Sequence, residues 1–176
     1  MYLKQMGSIS LLSRENEIDL AKKIEQAEER FKRAAMSTKF IRNHILSVAS
    51  DILEGRVNLE EAIKEDLKVK RANVLNRTRR IIKRLRYVRS ATRIVNLLLQ
   101  FNFITSVVEV AVRKLNRLLK ELDHTDRRNK RNRAHRRAIL RQLADPYPKI
   151  KEQMKLIKST HLKFNRTKKK LVEANL

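Results

Sequence analysis

Four histidines, His44, His124, His135 and His161, are the side chains best suited to metal or acid–base work, and they are scattered along the chain. None has a second histidine or a cysteine at helical or hairpin spacing, so a zinc or other transition-metal site is not expected. With two glycines in the chain there is no Gly-rich phosphate loop and no nucleophile elbow, and no paired carboxylates stand in an apolar setting. Neither an enzyme nor a bound cofactor is expected. What the sequence offers instead is positive charge. The run RRNKRNRAHRR, residues 127–137, would place Arg127, Arg128, Lys130, Arg131, Arg133, Arg136 and Arg137 around every face of a helix, each able to neutralise a phosphate. Such a run cannot pack by itself, and its other reading is a solvated excursion held open by like-charge repulsion.

The charge is unevenly distributed. Residues 1–66 hold eleven basic and twelve acidic side chains, net −1, whereas residues 67–176 hold thirty-two and seven, net +25. Solubility alone asks for a net charge of about 2–8 on a small domain. The excess attracts polyanions such as DNA, RNA or an acidic surface, in a salt-dependent way. The absence of cysteine excludes disulfides and is compatible with a reducing compartment. No apolar run approaches the ~20 residues of a membrane span, and no signal peptide opens the chain. A cytoplasmic macromolecule binder, with no membrane partner, is the expectation.

Two glycines and two prolines cannot punctuate a sandwich or barrel, so an all-α bundle of about five helices is expected, with a core of Leu, Ile, Val and Ala. Its expected centre is one long helix over residues 67–100. There Val74, Thr78, Ile81, Leu85, Val88, Thr92, Val95 and Leu99 recur at spacings of three and four, and no acid falls between residues 67 and 108. At 1.5 Å per residue, ~34 residues make a rod of ~50 Å. Upstream, Ser13 could cap a helix whose stripe is Ile18, Ala21, Ile24, Phe31 and Ala34 or Ala35. A second helix carries Phe40, Ile41, Ile45, Val48 and Ile52 and stops at Gly55; Asn58 with Glu61 then starts a segment that should feed the central rod. Downstream, Thr105 or Ser106 opens a helix with Val107, Ala111, Leu115, Leu118 and Leu122. Asp145-Pro146-Tyr147-Pro148 closes the arginine-rich arm, and a last helix from near Lys149 carries Ile150, Met154, Ile157, His161, Phe164 and Leu171.

The opening MYLKQMGSISLLSRENEIDLAKKIE, residues 1–25, resembles the segment that opens the promoter-melting domain of primary, or housekeeping, sigma factors of bacterial RNA polymerase. KKKLVEANL, residues 168–176, resembles the start of the next sigma segment, which in that family follows a spacer of variable length. The two patches stand in family order and cover about a fifth of the chain. The resemblance implies a sigma-like opening over residues 1–35, a variable basic spacer over 36–167 and the start of the next segment over 168–176, folded as one helical domain. It implies a fragment of a longer protein, whose polymerase-binding and minus-ten-reading helices would follow Leu176. The implied partners are promoter DNA and, through the full-length protein, the polymerase core. The residues implied at DNA are Tyr2, Leu3 and Lys4, which would approach the non-template single strand just downstream of the minus-ten element, an aromatic ring and an aliphatic chain beside unpaired bases and a lysine on phosphate. Two further expectations follow. A fragment cut at Leu176 should leave apolar helix surface open to self-association or to re-docking of its last helix. The alternative to the sigma reading is a free-standing arginine-rich RNA-binding helical protein built around residues 127–137.

Overall fold

The computed structural model describes residues 14–64, 69–125 and 130–174, with the side chains of residues 130, 131 and 174 left aside. Among the described residues the chain forms eight helices: α1 (Arg14–Met36), α2 (Lys39–Leu53), α3 (Leu59–Ala62), α4 (Arg71–Leu85), α5 (Ala91–Leu99), α6 (Thr105–His124), α7 (Lys130–Leu143) and α8 (Tyr147–Ala174). The fold is all-α. The expected Ser13 cap lies outside the described residues.

α1 and α8 run along each other as the principal pair, and α2 lies against α4, α6 and α7 while α5 and α6 close on α1. Local chemistry sets the ends. Thr38 takes an extended conformation, and its hydroxyl accepts from the Ile41 amide at 3.4 Å to start α2. Gly55, at φ 75°, ends that helix in a left-handed turn that an L side chain would resist. A second cap reaches α2 from far along the chain: the Lys39 amide donates to the buried Asp145 carboxylate at 2.8 Å, so the Pro-x-Pro corner between α7 and α8 is fastened to the start of α2. Both prolines of that corner sit where a helix begins, and α8 opens at Tyr147, two residues ahead of the expected start.

The stripes of α2, α6 and α8 fall as the periodicity predicts, with Ile41, Ile45 and Ile52, Ala111, Leu115 and Leu122, and Ile150, Met154 and Ile157 all buried. The core is less aliphatic than expected. Phe31, Phe101 and Phe103 are among its largest fully buried side chains, the last two with ring centroids 5.3 Å apart. Few aromatics are present, but their bulk fills the point where α1, α5 and α6 converge. On α1 only the second half of the stripe is covered: Phe31, Ala34 and Ala35 are buried, Ile24 is half-buried and Ile18 is 47 % exposed.

The single rod over residues 67–100 is not formed. α4 ends at Leu85, residues 86–90 turn, and α5 starts afresh at Ala91 with the Ile94 amide donating to the Ser90 carbonyl at 2.9 Å. The reason is tertiary. α4 packs on α2 and α5 on α1, and a ~50 Å rod would overshoot α2, which at 15 residues spans about 22 Å. The break lets Val74, Thr78 and Ile81 face one neighbour and Val95, Leu97 and Leu98 another. Among the described residues the longest helix is instead α8, with 28 residues.

The Asn58 cap is formed, its side chain accepting from the Glu60 amide at 3.4 Å, but α3 lasts one turn and does not feed α4. Ile63 leaves it in an extended conformation and makes an isolated antiparallel bridge to Phe103. The Lys64 amide donates to Asn102 and the Ile104 amide to Ala62, at 2.8 and 2.9 Å, so the α3 exit and the α5–α6 corner hold each other.

Candidate nucleic-acid interface

The residues expected at the promoter strand, Tyr2, Leu3 and Lys4, lie outside the described residues, as do Arg127 and Arg128. Lys130 and Arg131 open α7, with their side chains outside the description. The rest of the arginine run is ordered on a helix. α7 buries Ile139 and Leu143 against the bundle, which gives the cationic run the apolar anchor it lacks within residues 127–137. Two polar contacts set its rotation: Arg136 donates to the Leu122 carbonyl near the end of α6 at 2.8 Å, and His135 Nε2 lies 2.7 Å from Glu121. Arg136 is therefore occupied in holding α7. Arg133, Arg137 and Arg141 recur every four residues on the exposed side, one line of cations along the helix.

Two more basic surfaces arise only in the fold. Between α1 and α8 lies a groove of about 550 Å³, in which Lys23 and Arg30 of α1 face Lys163, Arg166 and Lys170 of α8. Its lining contains no acid, and Leu20 and Ala27 form its apolar floor. The second lies along α4 and its corner with α5, where Arg79, Arg80, Lys83, Arg84, Arg86, Arg89 and Arg93 are exposed and form no ion pair with a described acid.

One half-buried acid, Glu28, positions α1. Lys32 is 8 % exposed; its ammonium donates to the Phe103 carbonyl at 2.7 Å and pairs with Glu28 at 2.6 Å. Thr105 donates to the same Glu28 carboxylate at 2.5 Å. Burial pushes the Glu28 carboxyl up, but the hydrogen bonds from Lys32 and Thr105 outweigh it and hold the group below the ordinary carboxylate value. This cluster pins α1 to the α5–α6 corner and so fixes the cationic groove on α1's far side.

Three of the histidines, His44, His135 and His161, serve packing and pairing. His161 stacks beside Phe31, with ring centroids 4.6 Å apart, and bonds Glu109 at 2.8 Å. His44 is half-buried on α2, where burial and then the charge of Lys114 hold its imidazole below the usual value, favouring the neutral ring. Among the described residues no three His, Cys, Asp or Glu side chains group as metal ligands, and no helix is long and apolar enough to cross a membrane.

The arginine line on α7 is visible in the sequence. The groove is not, because Lys23 and Lys163 meet only once α8 has folded back along α1; cations at 163/166/170, spaced by three and four, and at 23/30, two turns apart, are the signal available. A comparison with known protein families matches residues 1–30 to the model described as Sigma-70 factor, region 1.2. From Arg14 onward the matched stretch is α1, the helix that carries one wall of the groove and the Glu28 carboxylate. The opening thirty residues are thus similar to region 1.2 of sigma-70 factors, which supports a sigma-family role in transcription initiation.

Proposed function

We propose that this chain is part of a bacterial primary sigma factor, and that it contributes to promoter opening by positioning the non-template single strand just downstream of the minus-ten element. The observation that carries this reading is the region 1.2 match over residues 1–30. Tyr2, Leu3 and Lys4, within that stretch, are the proposed strand contacts, the first two beside unpaired bases and the third on phosphate. The polymerase core and the promoter are the partners, and the basic spacer forms a helical subdomain beside the opening segment. Lys23, Arg30, Lys163, Arg166 and Lys170 support a polyanion partner along the α1–α8 groove. Ile18, Leu162 and Val172, at 47, 56 and 51 % exposure, support contact of this helix pair with a further segment or a second copy.

The test is the lifetime of promoter complexes. In holoenzyme assembled with the full protein that bears this segment, changing Tyr2 and Lys4 together to alanine should shorten the lifetime of the open complex several-fold and leave core binding intact. An unchanged lifetime would remove the strand contact from these residues.

A second reading is favoured by one specific observation, the exposed Arg133, Arg137 and Arg141 line on α7: an arginine-rich RNA-binding helical protein. Under it, Arg133→Gln with Arg137→Gln abolishes binding to structured RNA. The sigma reading expects those changes to leave promoter opening nearly intact.

A further inference from the structure

The corner between α4 and α5 is a cationic surface that neither the arginine run nor the family match accounts for. At its tip Tyr87 is 79 % exposed, the highest value among the exposed large hydrophobic side chains described. Arg80, Lys83 and Arg84 lead up to it at spacings of three and four, Arg80 and Lys83 on the side of α4 turned away from the buried Val74, Thr78 and Ile81 and Arg84 on its flank. The turn stays close to helical at the corner: Arg86 is in the right-handed helical region and the Tyr87 amide donates to the Arg84 carbonyl at 3.1 Å. That row therefore runs on into the ring. Val88 then turns in against the core, which fixes the direction in which Tyr87 points out, and Arg86 and Arg89 flank it in the open.

A tyrosine ring left in water adds nothing to the fold, whereas burial of such a ring is ordinarily stabilising. The five cations Arg80, Lys83, Arg84, Arg86 and Arg89 likewise have no described acid to pair with, and no acid occurs anywhere between residues 67 and 108. A row of cations ending in an exposed aromatic ring matches one ligand chemistry best. A single-stranded nucleic acid offers phosphates to the row and an unpaired base face to the ring. A duplex keeps its base faces stacked, and an acidic protein surface would satisfy the charges without using the ring. We infer that the α4–α5 corner binds single-stranded nucleic acid, with Arg80, Lys83, Arg84, Arg86 and Arg89 on its backbone and Tyr87 stacked on one base. This goes beyond the promoter contact proposed for Tyr2, Leu3 and Lys4 and does not depend on it.

The experiment uses the whole chain with three labelled probes: a 20-nucleotide oligothymidylate, the matching oligouridylate and a 20-base-pair duplex. The corner should bind both single strands alike, since ring and charges read neither the thymine methyl nor the 2′-hydroxyl. Tyr87→Ala should weaken single-strand binding roughly tenfold, about the size of one base–aromatic stack, while Tyr87→Phe restores it and the duplex is unaffected. Replacing Arg84, Arg86 and Arg89 together by Gln should lower the slope of log affinity against log salt by about 2, at ~0.7 per phosphate contact on a single strand. A 5-iodouracil strand should photocrosslink at Tyr87. All of these side chains are exposed, and an unchanged circular dichroism spectrum will confirm that the variants fold. Crosslinks confined to residues 2–4 or 127–137 would overturn the inference without touching the sigma reading. So would equal losses on duplex and single strand for Tyr87→Ala, or polyglutamate competing as well as the oligonucleotide.

Discussion

Glu28 shows how a single side chain sets the placement of the candidate interface. Its carboxylate holds the ammonium of Lys32 at 2.6 Å and the hydroxyl of Thr105 at 2.5 Å, and Lys32 in turn reaches the Phe103 carbonyl. The folded-state pKa is depressed, so the stabilisation it brings is present above the ordinary carboxylate value of the unfolded chain and is lost as pH falls through the folded value. Glu28→Gln should therefore lower stability at pH 7 by about 1.5–3 kcal/mol, the scale of a hydrogen bond to a charged group. The difference between the two proteins should shrink as pH falls through the folded value, and urea denaturation at pH 7 and at a series of acid pH values measures this. A gap that persists undiminished in acid would mean that the carboxylate charge contributes little. Arg136 illustrates the limit of reading a charged run residue by residue. Its spacing within residues 127–137 is that of a phosphate contact, yet its guanidinium is occupied by the Leu122 carbonyl, a partner that exists only once α6 and α7 have docked.

At the scale of elements, helix existence and buried faces were legible because 3.6-residue periodicity survives in almost every segment, and because Gly55, Asn58 and the two prolines mark ends by local chemistry. The break at residues 86–90 was not legible. The three-and-four spacing runs through Val88, Thr92 and Val95 without a Gly or Pro, and the break is imposed by α4 and α5 having different neighbours; Ser90, a common residue type at helix starts, was the one local sign. Tyr87 was hidden for the same reason, since on a continuous rod it is one more surface residue rather than the tip of a corner. The Ile63–Phe103 bridge joins two single residues far apart in sequence and leaves no periodic trace. The end of α7 offers a local test of these assignments. Ala144 follows the helix at φ 57°, a left-handed conformation that costs an alanine more than a glycine. Ala144→Gly should raise stability by about 0.5–1 kcal/mol in thermal or urea unfolding; a loss would show that the Ala144 methyl packs usefully or that the corner is not left-handed.

For the molecule as a whole, charge is segregated: a nearly neutral opening third folds against a strongly cationic remainder, and three basic surfaces emerge on α7, between α1 and α8, and at the α4–α5 corner. A field of that size draws in any polyanion and loses its grip as salt rises, so affinity for DNA alone cannot identify the physiological partner. Position on the promoter can. The most direct measurement places a photoreactive thymine analogue at single positions of the non-template strand in a holoenzyme–promoter complex containing this segment, then maps the crosslinked peptide. The account predicts crosslinks within residues 1–7 from positions just downstream of the minus-ten element, appearing only when the promoter is open. Crosslinks spread over residues 127–137 irrespective of opening, with none in the first seven residues, would contradict it.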